Sequence, residues 1–423
     1  MTSFTAKGWI GGIGAAAAIL LAAACGREAP LEERVAALLA RQDLSGALEL
    51  VGAAIARRPE DRALQDLRVR VLLAGGQADM ALAAYARRWG GGGPDEPALF
   101  REIAIALAEQ GQASGEGLVR TRAAAALAGL ASPDLTPALR RAAGHPDASV
   151  RAQALQGLAA LPGGEAAEIL RQALADSDAS VRAAAVGGLA IRQDAEDRAA
   201  LERALTDPSS RVRLRAAASL ARQGQAAAFQ QVLAFLRDPD ESLRMQAAEA
   251  AGHLGSREAV PFLLGLLRDR NPYVQVYAAE ALARLGEPRG RDRLQRALQH
   301  PDRSVAMYAA EAFSNLADAE GAARLVEALA PDQEVSIRLY AAWTLGRLGD
   351  LRGLPALTEL LAHEDSQIRM RAAWTLGQLG NGAGIPPLRQ AVLDPAPPVR
   401  WQAAWALAAH LGAGAPVDRD GKG

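Results

Sequence analysis

A period of 31 residues constrains this chain more than any other feature of its sequence. An apolar residue, usually followed by arginine, recurs at Val119-Arg120, Val150-Arg151, Val181-Arg182, Val212-Arg213, Leu243-Arg244, Val274, Val305, Ile337-Arg338, Ile368-Arg369 and Val399-Arg400. Eight of the nine steps are 31 residues and one is 32. Repetition at this spacing marks an array of small supersecondary units, each too small to bury its apolar face alone. With 423 residues the chain exceeds one ordinary compact domain, and the period makes an elongated array the expectation.

Each unit reads as two helices. Before most of the recurring positions lies a polar turn such as HPDAS, DSDAS or DPDES, and an alanine-rich stretch such as SIRLYAAWTLGRLG follows. Proline and aspartate in the turn stop one helix and start the next. Counting the recurring apolar residue as zero, positions +4, +8 and +11 or +12 are apolar and share one face at 100° per residue. Alanine at +4 and +5 lets neighbouring units approach closely. The arginine at +1 and the turn aspartates Asp147, Asp178, Asp240, Asp302 and Asp365 are expected to cap helix N-termini and to hydrogen-bond between neighbouring units, fixing the stacking register.

The pattern in LRMQAAEAAGHLG, VQVYAAEALARLG and IRLYAAWTLGRLG resembles HEAT repeats of the phycobilisome-lyase-like type. The fold class implied is all-α: an α-α superhelix, a solenoid of about ten hairpins from about Val119 to about His410. Residues 31 to 94 resemble about two tetratricopeptide units, with Ala47 and Ala81 at matching positions 34 residues apart; four generic amphipathic helices are the alternative. The domain reading is a signal peptide over 1–24, a tetratricopeptide-like module over 25–94, a solenoid over 95–412 and a disordered tail over 413–423. Gly90 to Gly93 and Pro94 read as a flexible joint between module and solenoid.

Residues 1 to 24 combine Lys7, an apolar run from Trp9 to about Leu21 and three small residues before Cys25, the only cysteine. This resembles the signal peptide and lipobox of bacterial lipoproteins, which implies that Cys25 carries the lipid and anchors the mature chain to a membrane. Ala22 stands three before the cysteine where leucine is usual. The alternative, an uncleaved anchor, is short of the roughly 20 apolar residues a spanning helix needs. Gly26, not aspartate, follows the cysteine, which by analogy favours the outer membrane. One cysteine excludes an intramolecular disulfide and a cysteine-based metal site.

The formal net charge is −1, without the basic excess expected of a nucleic-acid binder. The resemblance also raises an enzyme, because deoxyhypusine hydroxylase binds two irons through His-Glu pairs at +2 and +3 of the second helix. Here those positions hold pairs such as Met245-Gln246, Val276-Tyr277 and Met307-Tyr308. The chain is therefore read as a non-enzyme without cofactor or metal. A metal-dependent hydroxylase or lyase on the same repeats is the rival.

Second helices line the concave side of a solenoid, so positions +2, +3, +6 and +10 are the ones a partner would meet. Read through successive units, +3 and +6 give Tyr277 and Glu280, Tyr308 and Glu311, Tyr340 and Trp343, Arg371 and Trp374, then Gln402 and Trp405, with Trp401 at +2. Four of the six tryptophans and three of the five tyrosines thus gather on one expected groove, in a chain with only 4% aromatics. Aromatic and arginine side chains dominate interface energies. The expected function is a lipid-anchored scaffold or adaptor of the cell envelope that holds a protein or peptide in this groove; a glycan stacked on the rings is another possible ligand.

Overall fold

The computed structural model describes residues 29–87, 97–130, 132–192, 194–316, 319–379 and 382–412. Residues 1–24 and Cys25, read above as a lipoprotein signal, the expected joint over Gly90–Pro94 and the tail from 413 lie outside the described residues. Among the described residues the structure is helical without strands: twenty-four α-helices and three short 3-10 turns. Four helices, Leu31–Ala40, Leu44–Arg57, Arg62–Ala74 and Ala78–Ala86, form the N-terminal module. Ten hairpins follow. The first pairs Pro97–Gln112 with Gly117–Gly129, and the last pairs Ile385–Ala391 with Pro397–Gly412.

The repeats form where the sequence places them because start signals and packing signals agree. The turn aspartates cap the second helices: Asp147, Asp240 and Asp302 accept from the backbone N–H of Ser149, Ser242 and Ser304 at 2.7–2.9 Å. Gly255 ends its helix at φ 74°, a conformation with no steric penalty only for glycine. The paired alanines at +4 and +5, such as Ala247-Ala248 and Ala372-Ala373, are wholly buried. With no side chain beyond Cβ, they set the short distance between successive second helices.

The +1 arginines tie the stack together. In Arg182, one terminal nitrogen donates to the carbonyls of Asp176 and Ser177 in its own turn, while Nε and Nη2 grip Asp207 in the next repeat at 2.8 and 2.9 Å. Arg151 does the same to Asp176, Arg244 to Asp269 and Arg369 to Asp394. Asp147 of the second repeat both caps its helix and binds Arg120 of the first at 2.8 Å. Elsewhere the pairing acid stands two residues ahead of the capping position, as Asp176 precedes Asp178. Expecting the capping aspartates to serve both roles was therefore incomplete. After the 32-residue step, Arg338 instead pairs with Glu359 at 2.7 Å and donates to the Leu329 carbonyl.

The ends of the array meet. Helix Pro397–Gly412 packs on Pro97–Gln112 and Gly117–Gly129, as one repeat packs on the next. One core cluster consequently runs from Val69 through Ala228 and also from Leu339 through Ala408. Arg400, having no eleventh repeat to grip, takes Asp79 of the N-terminal module at 2.6 Å and keeps its own turn contacts to Asp394 and Pro395. Trp401 Nε1 donates to the same aspartate at 2.8 Å. The superhelix is thus a closed ring latched by its N-terminal module.

Removing one ladder arginine and removing the latch should have different signatures. Arg182→Ala strips charge-assisted bonds from a pair whose side chains are only 12% and 10% exposed, and is expected to cost about 2–3 kcal/mol in denaturant unfolding with unchanged dimensions. Asp79→Ala combined with Trp405→Ala should instead enlarge the radius of gyration measured by small-angle X-ray scattering. The arginine ladder holds the carboxyls of Asp176 and Asp207 below the usual range, first through hydrogen bonds from Arg151 and Arg182. Their stabilisation is full above the ordinary carboxylate pKa of about 4 and is lost as pH falls through the lowered folded-state values.

Candidate functional site

Four consecutive second helices, Pro272–Arg284, Arg303–Asn315, Val335–Arg347 and Ser366–Gly377, present the expected positions on the inner face of the ring. Tyr277, Tyr308, Tyr340, Trp343 and Trp374 are each half-buried. The rings run along the curve in contact: Tyr308 stands 5.3 Å from Tyr273, edge to face, and in tilted pairs 5.3 Å from Tyr340 and 6.3 Å from Tyr277, while Tyr340 stands tilted 5.8 Å from Trp343. Offset and tilted arrangements at these distances are the favourable ones for aromatic pairs.

Carboxylates sit between the rings. Glu311 accepts a short hydrogen bond from the Tyr340 hydroxyl and pairs with Arg347, whose guanidinium also lies 5.2 Å over the Trp343 ring. Glu280 accepts from Arg284 at 2.7 Å and from Asn315 at 3.2 Å, and Asn315 in turn accepts from Arg347 at 3.0 Å. The strip is therefore one connected network across three repeats. Burial pushes the Glu311 carboxyl up against the opposing pull of Tyr340 and Arg347. Burial, then Glu249, lifts Tyr277; burial, then Glu311, lifts Tyr308 and Tyr340.

Further round the ring the chemistry changes sign. Trp374 lies beneath Arg122 of the first repeat, 5.5 Å from guanidinium carbon to ring centre, and Arg122 donates to Gln402 at 3.3 Å. Burial, followed by the nearby Arg371, lowers Arg122 to about 10. Arg371 itself is exposed.

Two expected groove residues belong elsewhere. Trp405 is 4% exposed and packs into the seam, where a Cβ built on Gly111 would come within 3.4 Å of its ring. Trp401 is half-buried and tied to Asp79. Both were expected to face a partner because positions +2 and +6 of a second helix point away from its own core; closure of the ring covers them with the other end of the chain. The remaining positions, Tyr277, Glu280, Tyr308, Glu311, Tyr340, Trp343, Arg371 and Trp374, lie on the inner strip, and Cys25 is outside the described residues. Reading only +3 and +6 from Gln246 onward missed Arg122 at +3 of the first repeat, Asn315 and Arg347 at +10, and Tyr273 just before its repeat's origin. Among the described residues no group of three or more histidines, cysteines, aspartates or glutamates is placed to hold a metal ion. The arrangement joins aromatic surface, buried carboxylates and a cation over a ring, which suits recognition.

The raised tyrosines give a direct optical check. At least three of the five tyrosines, Tyr277, Tyr308 and Tyr340, should stay protonated above the ordinary tyrosine value of about 10 when tyrosinate absorbance is followed in alkaline titration. Replacing all three with phenylalanine should remove the late phase alone; a late phase of unchanged amplitude would show that these rings are solvated.

The profile of HEAT repeats matches residues 105–190, 197–272, 265–336 and 322–408. No curated protein matches the chain. Among solved structures, the complex of CpcE and CpcF of phycocyanin lyase from Nostoc sp. is 24% identical, aligning over 50% of this chain and 87% of that one with a TM-score of 0.35. Human deoxyhypusine hydroxylase in complex with glycerol is 23% identical over 58% of this chain and 95% of that one, with a TM-score of 0.32. Kap121p bound to Nup53p is 14% identical over 87% of this chain and 47% of that one, with a TM-score of 0.35. With the repeat profile covering most of its length, the chain belongs to the HEAT-repeat family.

Proposed function

We propose that this chain is a lipid-anchored scaffold or adaptor of the cell envelope, and that it holds a protein or peptide segment against the inner face of its ring. The observation that carries the reading is the unbroken strip of Tyr277, Tyr308, Tyr340 and Trp343, interleaved with Glu280 and Glu311, across successive repeats. Half-buried aromatic rings that keep one face toward solvent hold apolar area ready for a ligand. Ten second helices about 9 Å apart describe a circle roughly 30 Å across at their axes. Subtracting a helix radius of about 5 Å on each side leaves roughly 20 Å, room for an extended segment or a single helix.

The strip favours a ligand that offers apolar surface, because Glu311 and Glu280 are already engaged by Tyr340, Arg347, Arg284 and Asn315. Trp343→Ala with Tyr308→Ala should reduce recovery of the cross-linked partner from envelope fractions at least tenfold while the variant remains folded by circular dichroism, since an interface aromatic typically contributes more than 1 kcal/mol. Equal recovery by a folded variant would end the groove reading.

The membrane part of the proposal rests on residues 1 to 24 and Cys25. Acyl chains on Cys25 would keep a peripheral protein stably at the bilayer. Cys25→Ala should abolish metabolic labelling with a radioactive fatty acid and prevent signal-peptide removal; a variant still labelled and processed at the same site would exclude lipidation there.

A further inference from the structure

The outer surface carries a site of a different kind. Between helices Val260–Leu266 and Pro288–Ala297, the first helices of neighbouring repeats, lies a crevice of about 720 Å³. One wall is Leu264, Gly265, Leu267 and Arg268 and the other Arg289, Arg293 and Arg296, with no carboxylate among the lining residues. We propose that this crevice binds a multivalent phosphate-bearing anion.

The molecule contains its own reference. A crevice of the same type, about 630 Å³, lies between the first helices Thr136–Ala143 and Gly164–Ala173. There the single arginine, Arg140, faces Glu165, Glu168 and Asp176 and is ion-paired with Glu165. Stacking alone therefore creates such a crevice without making it cationic. Four arginines with no lining carboxylate are a departure from the pattern, in a chain whose basic and acidic residues otherwise balance at 47 and 48.

The neighbouring acids do not neutralise the cluster. Asp269, beside Arg268, is held by Arg244 at 2.8 Å, and Glu287 reaches Arg289 only at 3.9 Å. Arg293 donates to the Gln275 side chain, and Arg296 to the backbone carbonyl of Asp292 at 3.2 Å, both neutral acceptors. Burial and the adjacent Arg296 together lower the Arg293 guanidinium below its usual value, as expected for like charges brought together. Planar guanidinium forks match phosphate oxygens two at a time, and several converging forks favour an anion of more than one charge. The apolar side chains of Leu264 and Leu267 hold the field in a low-dielectric notch.

The test is calorimetric titration of the full chain with inorganic tripolyphosphate at low ionic strength. One site per chain is expected. Arg268→Gln with Arg296→Gln, both solvent-exposed positions, should weaken it about 100-fold, at roughly tenfold per charged hydrogen-bond donor lost. Arg140→Gln in the balanced crevice should leave it unchanged. Displacement of tripolyphosphate by the soluble headgroup glycerophosphoglycerol would assign the site to a phospholipid surface, and resistance to it would assign a soluble polyphosphorylated ligand. No binding, or equal binding by the double variant, overturns the proposal.

Discussion

The arginine at +1 is the interaction on which the molecule depends. Arg151, Arg182, Arg244 and Arg369 each satisfy two carbonyls of their own turn and one carboxylate of the next, so a single side chain fixes both the shape of a turn and the position of its neighbour. Alanine-rich helices could slide past one another, since small side chains interdigitate weakly and dispersion contacts have little directionality. A bidentate arginine–carboxylate pair is directional and permits few registers. Apolar burial makes the stack stable; the ladder determines which stack forms.

A repeated rigid offset produces constant curvature, and here that curvature brings the last repeat round to the first. Open solenoids leave terminal repeats with an uncovered apolar face and need capping units. This chain covers both ends with each other. The N-terminal module completes the junction by providing Asp79 where a further repeat would have provided a turn aspartate. Trp405 fills the seam against Gly111; a ring of 150–250 Å² buried at about 25 cal/mol per Å² stabilises by roughly 4–6 kcal/mol as an upper bound. The module and the ring share one core from Val69 onward, with Tyr85 5.7 Å from Phe100 and Arg70 paired with Glu102.

What was legible in the sequence was local. The 31-residue period, the capping aspartates and the alanine pairs are fixed by interactions within one or two units, and each is visible in a short string of residues. The inner strip from Tyr277 to Trp374 was legible for the same reason: position within a repeat decides which face of a second helix a side chain occupies. Closure was not legible, because it joins residues about 250 to 320 positions apart through a geometric sum over ten repeats. That one omission accounts for Trp401 and Trp405, whose intra-repeat positions are those of groove residues and whose partners, Asp79 and Gly111, lie near the other end of the chain. It also hid Arg122, which faces Trp374 only across the seam.

A near-zero net charge concealed how the charge is distributed. Glu280 and Glu311 lie inside the ring among tyrosines, Arg122 and Arg371 lie inside it by the seam, and Arg268, Arg289, Arg293 and Arg296 crowd one outer crevice. Summed over the chain these cancel, yet at a Debye length of about 8–10 Å each cluster is felt as its own sign by anything that approaches it. The inner strip satisfies most of its polar groups within its own network and can accept a ligand mainly through ring surface. In the outer crevice two guanidinium groups bond neutral acceptors and one meets its carboxylate at 3.9 Å, so the charge there is left to be met from solution. The ring thus separates two surface chemistries by face, aromatic inside and cationic outside. A partner held in the lumen and an anion held on the outer surface would not compete for the same residues.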